Sequence, residues 1–461
     1  MTDRDPARQT PPPASPLAAG TGAGRPPPVA PAPASAAKAA VLAEVDRAFE
    51  SQVELLAALV RCPSVRGATN GVQAVVAGAL RRTGLDVQEV GIDGEAIAAL
   101  PGYSPAEWDY DGLIQVVGTL PGAAPGGAVA GGGRSLVLNG HVDVVPAETA
   151  AYWRHDPWGA EIEDGRLYGR GACDMKAGVA AVLGAVGAIR RAGIVLRGDV
   201  RVQSVLDEEC GGNGTLALLA QGFRGDAAVI PEPTGLALPA ACVGVLWGRI
   251  RVRGRAAHAG SASSAVNAIE KSYAVVRALR EMEAAANLPE RRHARYAGVE
   301  HPLNVNIGTI RGGDWPSSVP ESCTLEVRVA CYPQEDLAAL EDRVRASVAR
   351  AAAADPWLKD VPPEVSFFGF RGEGAVYDPE SDIARAVAGN HRLVAGESPA
   401  VGVSTATDDR RLFQLHYGIP AVCYGPAGGG LHGVDEWVDL ESMRTCTRVL
   451  AAAALDWCGV A

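Results

Sequence analysis

The sequence predicts an α/β fold with a mostly parallel sheet, into which a second, ferredoxin-like α+β domain is inserted. Most strand-like segments before about residue 246 are apolar throughout, as strands covered on both faces are. Helical segments lie between them, which favours a parallel sheet. After about residue 246 the segments follow the order βαββαβ, which is typical of a ferredoxin-like unit. Because the α/β pattern returns after about residue 370, the second unit is an insertion in the first.

The N-terminal segment predicts a disordered tail followed by helix. Residues 1–36 are almost all Pro, Ala, Gly, Thr and Ser, which cannot bury enough surface to offset the entropy of ordering. From residue 37 the apolar residues instead recur at helical spacing. They form one stripe over 39–61, made of Leu42, Val45, Phe49, Val53, Leu56 and Val60.

The first domain is predicted over residues 37–246 and 370–461. A second helix, VQAVVAGALRRTG, ends at Gly84, and further helices are expected in MKAGVAAVLGAVGAIRRAG and NGTLALLAQG. The expected strands are LDVQEV, LIQVVGTL, SLVLNGHVDVV, DVRVQSVLDEE and AAVIPEP. The glycine-rich segment 121–135 is interpreted as a flexible loop between two strands, because it lacks the GK[ST] ending of a phosphate-binding loop.

The inserted domain is predicted over residues 247–369. Its segments are, in order, the strand VLWGRIRVRG, the helix VNAIEKSYAVVRALREME, the strands LNVNIGTIRG and ESCTLEVRVA, the helix DLAALEDRVRASVARAA and the strand EVSFFGF. Apolar and polar residues alternate in TLEVRVA. This alternation indicates a sheet with one face in water.

Composition excludes several classes of partner and location. The 461 residues carry a formal net charge of −11, which argues against nucleic acid and anionic membranes as partners, since both attract basic surfaces. The apolar stretch AGVAAVLGAVGAIRRAG is interpreted as too short to span a bilayer. Nine scattered cysteines without a CxxC pair predict reduced thiols. Together with the lack of a signal-peptide pattern, they predict a cytoplasmic protein.

Side chains that bind metals follow several of the predicted strands. In an open α/β sheet, ligands bind at the carboxyl ends of the strands. Histidines and carboxylates gathered there suit divalent ions, zinc first. There are enough of them for two ions joined by one bridging carboxylate. The candidate residues are His141, Asp143, Asp174, Glu208, Glu209, Glu232 and His432.

Five segments carry a family resemblance. GHVDVVP, YGRGACDMKAG, LDEECGGNGT, PEPTG and GGGLHGVDE resemble, in order and spacing, motifs of the dinuclear zinc amidohydrolases and metallopeptidases. That family includes acetylornithine deacetylase, succinyl-diaminopimelate desuccinylase, aminoacylases and glutamate carboxypeptidases. The resemblance extends from about residue 40 onward. It implies that residues 247–369 are a lid that often dimerises, and hence a homodimer.

The resemblance also implies a metal centre with two Zn²⁺ per subunit, for which Co²⁺ is a possible substitute. Matched motif by motif, His141 and Glu232 hold one ion, Glu209 and His432 hold the other, and Asp174 bridges them. These five ligand assignments are what the resemblance implies.

Two further acids receive roles from the resemblance. Asp143 orients His141 and raises its basicity. Glu208 is the general base, which takes a proton from a zinc-activated bridging water and passes it to the departing amine. The implied activity is hydrolysis of a linear amide. No role is assigned to Asp207.

The lid supplies a candidate oxyanion donor, His258. The segment VRGRAAHAGS resembles the family motif in which a histidine donates to the oxyanion, in dimeric members from the partner subunit. The alternative is a histidine that caps the helix starting near Ser263.

Three further residues are expected to contact the substrate. The segments LNVNIGTIRGG and TLEVRVA resemble the lid segments that bring an Asn and an Arg to a substrate carboxylate, here Asn304 and Arg328. Asn306 fits as well as Asn304, and Arg328 has the alternative of an ordinary exposed strand residue.

The third candidate contact is Arg410. The segment STATDDRRLF resembles a T-D-x-R-x-F region that borders the substrate pocket of several deacylases, and Arg410 matches its arginine. The adjacent Arg411 blurs this match. Alternatively, Asp408 and Asp409 are acids in the first turn of a helix.

The resemblance favours an N-acyl amino acid deacylase, similar to acetylornithine deacetylase or succinyl-diaminopimelate desuccinylase. The alternatives are a dipeptidase or carboxypeptidase on the same scaffold, or a deformylase or carbamoyl amidohydrolase. A homologue that binds a ligand without turnover is disfavoured, because every implied ligand and the base are present. The expected partner is a small N-acyl amino acid or a short peptide.

Overall fold

A computed structural model describes residues 34–123, 133–147 and 150–461. Most of the predicted tail and most of the predicted loop over 121–135 lie outside these residues. The last three residues of the predicted tail instead belong to the first helix, which begins at Ala34. Alanine has the highest intrinsic helix propensity, so this Ala-rich sequence extends the helix toward the N-terminus.

Within the described residues the chain forms ten α-helices and seventeen strands. The helices are α1 (Ala34–Arg47), α2 (Phe49–Val60), α3 (Asn70–Thr83), α4 (Gly94–Ile97), α5 (Ala177–Arg191), α6 (Asn213–Ala220), α7 (Ala268–Ala286), α8 (Leu337–Ala354), α9 (Asp382–Ala395) and α10 (Leu440–Cys458). The strands are β1 (Asp86–Gly91), β2 (Ile114–Leu120), β3 (Leu136–His141), β4 (Glu161–Glu163), β5 (Arg166–Tyr168), β6 (Val200–Val205), β7 (Ala227–Ile230), β8 (Leu238–Cys242), β9 (Gly244–Arg253), β10 (Val305–Gly312), β11 (Ser322–Cys331), β12 (Glu364–Gly372), β13 (Ala375–Val376), β14 (Val401–Ser404), β15 (Ala421–Cys423), β16 (Gly428–Gly429) and β17 (Trp437–Asp439).

The central sheet has six strands in the order β1-β2-β6-β3-β7-β15. Strand β3 pairs in parallel with both β6 and β7, and β15 pairs in parallel with β7. The two strands at the other edge, β1 and β2, are antiparallel. Every residue of β3 and β7 is buried, which explains the apolar sequence of β7 and of the first half of β3. The predicted α/β fold with a largely parallel sheet is confirmed.

The inserted unit is a four-stranded antiparallel sheet, which we call the lid sheet (β9 to β12). Its order is β10-β11-β9-β12, and all its neighbours are antiparallel. Helices α7 and α8 cover one face through apolar residues such as Val275 and Leu340. The other face carries polar and aromatic side chains, including Trp247 and Arg328. This βαββαβ arrangement is ferredoxin-like, as predicted, whereas the exact domain limits at residues 247 and 369 stay a prediction.

Two smaller sheets complete the fold. Strands β13, β8 and β14 form one, and β16, β17, β5 and β4 form the other. The second sheet supports the loop between β16 and β17, which carries His432. Neither sheet could be predicted from the pattern of apolar residues in the sequence, because the strands of both are short.

The N-terminal helical stripe is divided between two helices. Ala48, at φ −98° and ψ 7°, separates α1 from α2. The predicted apolar residues nevertheless face the core on both sides of this break, and Val45, Phe49 and Leu56 are buried. Helix α3 ends as predicted, with Gly84 in the left-handed conformation at φ +78°.

One helical segment of the described chain, Ala172–Arg191, has the length and hydropathy of a membrane span. The sequence argument that this apolar stretch is too short to cross a bilayer is therefore wrong on length. Within this segment, 89% of the most apolar 18-residue stretch is buried in the protein, and α5 packs against α1, α2 and α10. Its apolar sequence is thus explained by its position in the core.

Candidate active site

Three neighbouring parallel strands bring acids and a histidine to one edge of the central sheet. His141 is the last residue of β3, and Glu232 lies two residues beyond the end of β7. Glu208 and Glu209 follow β6 in a single 3₁₀ turn, Glu208–Cys210. Because β6, β3 and β7 are adjacent and parallel, their carboxyl ends meet at this edge.

Two loops add the remaining members of the cluster. Asp174 lies in a π turn, Ala172–Lys176, that leads into α5, and its peptide bond to Met175 is cis. His432 lies between β16 and β17, with a left-handed backbone at φ +58°. Its imidazole is about half exposed, whereas the side chain of Asp174 is largely buried. The site is therefore built from chain segments that span 141 to 432.

The site consists of two ligand clusters that share Asp174. In the first, His141 Nε2 lies 3.2 Å from Asp174 Oδ1 and 3.9 Å from Glu232 Oε2. In the second, His432 Nε2 lies 3.1 Å from Glu209 Oε2 and 3.4 Å from Asp174 Oδ2. The ligand atoms within each cluster lie within 4.8 Å of one another. This is the arrangement in which one carboxylate bridges two metal ions.

The donor set fits a pair of divalent cations. Glu232 Oε1 is buried without a hydrogen-bond partner among the described residues. Burial raises the pKa of Glu209 and of Glu232, and the charge of Asp174 adds to both shifts. Burial also acts to raise the pKa of Asp174, but its hydrogen bonds to His141 and His432 outweigh this and lower it. Cations would satisfy the unpartnered oxygen and offset the repulsion between the carboxylates.

The orientation of His141 comes from a carbonyl. Its Nδ1 lies 2.9 Å from the backbone oxygen of Asp143, which can only accept, so Nδ1 carries the proton and Nε2 is available as a ligand. The Asp143 carboxylate, predicted to do this, has Oδ1 3.7 Å from Nδ1 and accepts the backbone N–H of Glu209 through Oδ2. The predicted role of Asp143, which is to orient His141 and raise its basicity, therefore stays a prediction, and the same carboxylate also holds the Glu209 turn.

Glu208 lies beside the clusters without belonging to either. Its Oε2 is 3.9 Å from His141 Nε2, and the residue is 8% exposed. Burial raises the pKa of Glu208 well above its usual range, and the charge of Glu232 adds to the shift. A carboxylate next to a metal pair, but not used as a ligand, can accept and release a proton there.

Asp207, left without a role by the sequence, has two side-chain partners. Its Oδ1 accepts from Trp108 Nε1 at 2.9 Å, and its Oδ2 accepts from the hydroxyl of Tyr110 at 2.7 Å. Its backbone is left-handed at φ +72°. The sequence offered only a weak signal for this contact, the aromatic pair in EWDYDG.

Glu436 is a functional residue that the sequence interpretation missed. Its buried carboxylate accepts from the backbone N–H groups of Gly171, Cys173 and Asp174 at 2.9–3.0 Å. It also accepts from Arg170 Nη1 at 2.6 Å, and Arg170 Nη2 donates to the carbonyl of Gly433. The pair therefore joins the turn of Asp174 to the loop of His432. Its position four residues after His432 was the available signal.

The open face of the lid sheet presents Arg328 together with two asparagines. Asn306 lies directly opposite Arg328 in the register of β10 and β11, and Asn304 precedes Asn306 by two residues. The side chains of both asparagines are exposed. The Arg328 guanidinium makes no hydrogen bond or ion pair with any described residue, and burial lowers its pKa. The predicted contacts of Asn304 and Arg328 with a substrate carboxylate stay a prediction.

Arg410 is not presented to a substrate. Its side chain is fully buried, donates to both carboxylate oxygens of Asp408, and donates through Nη1 to the carbonyl of Pro239. Its guanidinium also lies 3.9 Å from the ring centroid of Tyr377. The sequence interpretation of Arg410 as a substrate contact is therefore corrected, since its donors are used inside the protein.

His258 lies outside both clusters in this single chain. Its Nδ1 accepts from the backbone N–H of Gly260 at 3.0 Å, so it caps the short 3₁₀ helix Ala259–Ser264. The alternative, a cap on a helix starting near Ser263, holds only in that His258 is a cap, because the α-helix that follows begins at Ala268 and is capped by Asn267. Because Nε2 has no partner among the described residues and the residue is exposed, its predicted oxyanion role in a partner subunit stays a prediction.

Aromatic side chains connect the acidic strand end to the lid sheet. Trp247 lies directly opposite Arg328 across β9 and β11, and its ring is 5.9 Å from that of Phe368. A Cβ placed on Gly369 would lie 2.7 Å from Trp247 and 3.4 Å from Trp108. Trp108 in turn donates to Asp207. Gly369 therefore lies between Trp108, at the acidic strand end, and Trp247, on the lid sheet.

Comparisons with known proteins agree with this geometry. The profile described as Peptidase family M20/M25/M40 matches residues 137–456. A deformylase from Bacillus subtilis (strain 168), named for N-formyl-4-amino-5-aminomethyl-2-methylpyrimidine, is 32% identical over 77% of this chain and 86% of its own length. The succinyl-diaminopimelate desuccinylase of Gluconacetobacter diazotrophicus is 29% identical over 86% of this chain and 94% of its own length.

Solved structures share the fold. Human carnosine dipeptidase 1 superposes with a TM-score of 0.72 at 19% identity, covering 93% of this chain and all of that one. A Bacillus subtilis protein described as a dinuclear metal binding peptidase from M20 family gives a TM-score of 0.57 at 15% identity, with coverage of 90% and 100%. At these identities the likeness concerns the fold alone.

Proposed function

The chain belongs to peptidase family M20/M25/M40, and from this premise we propose that it is a deacylase that hydrolyses the amide bond of a small N-acylated amine. Membership makes it a metal-dependent hydrolase of amide bonds. The observation that carries the proposal is the pair of ligand clusters sharing Asp174, with the carboxylate of Glu208 beside them. Zinc is the ion we place first in both clusters, with cobalt as a substitute.

The residues divide the work between binding and proton transfer. His141, Asp174 and Glu232 would hold one ion, and Asp174, Glu209 and His432 the other. When bound, such a pair of ions would polarise an amide carbonyl as a Lewis acid and would make water more acidic. Glu208 accepts the proton of the attacking water on a carboxylate oxygen and returns it to the amine nitrogen as the C–N bond breaks.

The substrate class we place first is an N-formylated amine on a planar ring. Two observations support it. Relatives named as deformylases of a formylated pyrimidine are 32% and 29% identical to this chain. In addition, Trp108 donates to Asp207 at the acidic corner and Trp247 lies opposite Arg328 on the lid sheet, so aromatic rings lie near both parts of the site.

An N-acyl amino acid is the second candidate, favoured by Arg328. Its guanidinium has no partner among the described residues and lies opposite Asn306, as a site for a carboxylate would require. The relatives named succinyl-diaminopimelate desuccinylase, at 29–30% identity, agree with it.

A single panel tests both classes. The purified chain is incubated with Zn²⁺ or Co²⁺ and N-formyl-4-amino-5-aminomethyl-2-methylpyrimidine, N-acetyl and N-succinyl amino acids, or dipeptides. Release of formate, acetate, succinate or free amino acid is then measured. The Arg328→Gln variant is the matched comparison, because it should raise KM for N-acyl amino acids and leave the formylated pyrimidine unaffected. Hydrolysis of dipeptides alone would contradict the deacylase proposal.

A further inference from the structure

We infer that Asp207 is a positioning residue, which holds Glu208 by fixing the corner between β6 and its 3₁₀ turn to Trp108 and Tyr110. This inference rests on the proposed role of Glu208 as the base. It assigns a task to Asp207, the first acid of the sequence DEE, which belongs to neither cluster and has no role in the proposed proton transfer.

The first step of the argument is the geometry of the corner. The carbonyl of Asp207 accepts from the backbone N–H of Gly211 at 2.9 Å and of Gly212 at 2.7 Å. These bonds close the turn in which Glu208 and Glu209 lie. Because Asp207 itself has φ +72°, its backbone adopts a conformation that is unfavourable for most side chains, and the surrounding contacts must maintain it.

The second step is the surroundings of the carboxylate. Asp207 is 4% exposed and forms no ion pair with any described residue. Its side-chain partners are the indole N–H of Trp108 and the hydroxyl of Tyr110. An acid buried without a cation is costly, so a purely structural purpose would be served better by a neutral group. The carboxylate nevertheless offers one oxygen to each donor, whereas an asparagine in the same position would present an N–H₂ group in place of one of these oxygens.

The third step is that Trp108 and Tyr110 are themselves anchored. They lie in a segment that we call the bridging segment (residues 104–110). Ser104 Oγ donates to the carbonyl of Gly211, and the hydroxyl of Tyr110 accepts from Asn213. At the lid side, Arg249 donates to both carboxylate oxygens of Glu107 at 2.8–2.9 Å. The corner is thus held to a segment fixed on both the central sheet and the lid sheet.

Loss of the contacts of Asp207 should affect Glu208, the proposed proton carrier. Loss of the two hydrogen bonds frees the corner, and Glu208 is the first residue of the turn that follows. Displacement of a catalytic group by about 1 Å can cost about 100-fold in rate. We therefore expect Asp207→Asn to lower kcat by about 10- to 100-fold with KM within about 3-fold. Both metals should remain, since Asp207 belongs to neither cluster and the ligand Glu209 is held separately, through its backbone N–H, by Asp143.

The experiment measures kcat, KM and metal content of Asp207→Asn, Tyr110→Phe and the double variant, all loaded with Zn²⁺. Asparagine replaces one carboxylate oxygen with an N–H₂ group, so in the observed geometry one of the two donors loses its acceptor. If Asp207 acts through Tyr110, the kcat of the double variant should be no lower than that of Asp207→Asn alone. Asp111→Asn is the control, because Asp111 is an exposed acid in the same loop whose side chain makes no hydrogen bond to a described residue.

Several results would overturn the inference. An unchanged kcat in folded, fully loaded Asp207→Asn would do so, as would a loss of kcat that parallels a loss of metal. If Asp207→Asn does not fold, unchanged kcat in both Tyr110→Phe and Trp108→Phe would have the same meaning. Glu208→Gln separates this inference from the proposed function. Full activity of Glu208→Gln would refute the assignment of Glu208 as the base. An inactive Glu208→Gln variant together with a fully active Asp207→Asn variant would refute only the positioning role of Asp207.

Discussion

Glu208 and Glu209 are adjacent in sequence but have different surroundings. The 3₁₀ turn Glu208–Cys210 directs both toward the same edge, whereas an extended strand would point them in opposite directions. Glu209 lies 3.1 Å from His432 within a cluster, and Glu208 lies 3.9 Å from His141 outside both. Neighbouring carboxylates can therefore divide ligation from proton transfer.

The two glutamates should respond differently to the same isosteric change. We expect Glu208→Gln to lower kcat by about 100-fold or more while both metals stay bound, because an amide cannot carry the proton. Glu209→Gln should instead reduce metal occupancy, since an amide is a weaker ligand than a carboxylate. Elemental analysis together with kcat at saturating Zn²⁺ distinguishes them. Substantial activity in Glu208→Gln would refute its assignment as the base.

Glu436 offers a second residue-scale prediction. It accepts from three backbone N–H groups around Asp174 and from Arg170, so Glu436→Gln would place an amide donor against another donor. We expect Zn²⁺ affinity to fall by about 10- to 100-fold, as for other outer residues of metal sites. Competition with a chelator measures this. Glu441→Gln, at an exposed acid in the first turn of α10, is the control and should bind Zn²⁺ normally.

At the scale of elements, the apolar pattern anticipated what is buried. Strands β3, β6 and β7 are rich in buried apolar residues, and their order along the chain implied that His141, Glu208 and Glu232 would share an edge. The short strands β4 and β5 were not anticipated. All three residues of β4 are exposed, so its sequence carries no hydrophobic signal.

Tertiary contacts explain the remaining errors. Arg410 and Arg411 were equivalent in the sequence, and only packing shows that the former pairs with Asp408 inside the protein. The contact between Asp207 and Trp108 joins residues 99 positions apart, which no local pattern reveals. The ligands could be predicted because each follows a strand or a glycine turn. The side chains that hold them could not, because their partners are distant in sequence.

The junction between β12 and β13 should contribute to acid sensitivity. Burial opposes the charge of Glu373, but His416 and Arg411, whose nitrogens lie 3.4 Å and 3.6 Å from its carboxylate, outweigh this and lower its pKa from an ordinary 4.5 to about 2. Because the pKa of Glu373 is lower in the folded chain than in the unfolded chain, its ionised form stabilises the fold at pH values above about 4.5. This contribution is lost as the pH falls from 4.5 toward 2.

The Glu373→Gln variant tests this junction. The free energy of unfolding of the wild type should exceed that of the variant by on the order of 2 kcal/mol at pH 6, and the difference should shrink as pH falls to 3. Urea unfolding across this range provides the measurement. Glu380→Gln, at an exposed acid on the next connection, between β13 and α9, is expected to give no such trend. A difference that is constant with pH would exclude the ion pair as its cause.

At the scale of the whole molecule, the metal site joins distant parts of the chain. Its ligands come from three strand ends and two loops between residues 141 and 432, and Asp174 belongs to both clusters. Bound cations would therefore stabilise the packing of the small β16-β17-β5-β4 sheet against the central sheet. Since the unfolded chain lacks this arrangement, binding energy is added to the stability of the folded state.

Metal removal should consequently lower the melting temperature. At free Zn²⁺ about 1,000-fold above its Kd, each site contributes about 4 kcal/mol, enough to shift Tm by several degrees. Calorimetry with and without a chelator measures this difference, and Glu208→Gln should show the wild-type shift because it keeps all the ligands. Asp174→Asn, which removes a carboxylate from both clusters, should lose most of it. Equal Tm values for chelated and Zn²⁺-loaded wild type would show that these residues do not bind metal in the folded chain. A full shift in Asp174→Asn would show that the two clusters do not depend on a shared carboxylate.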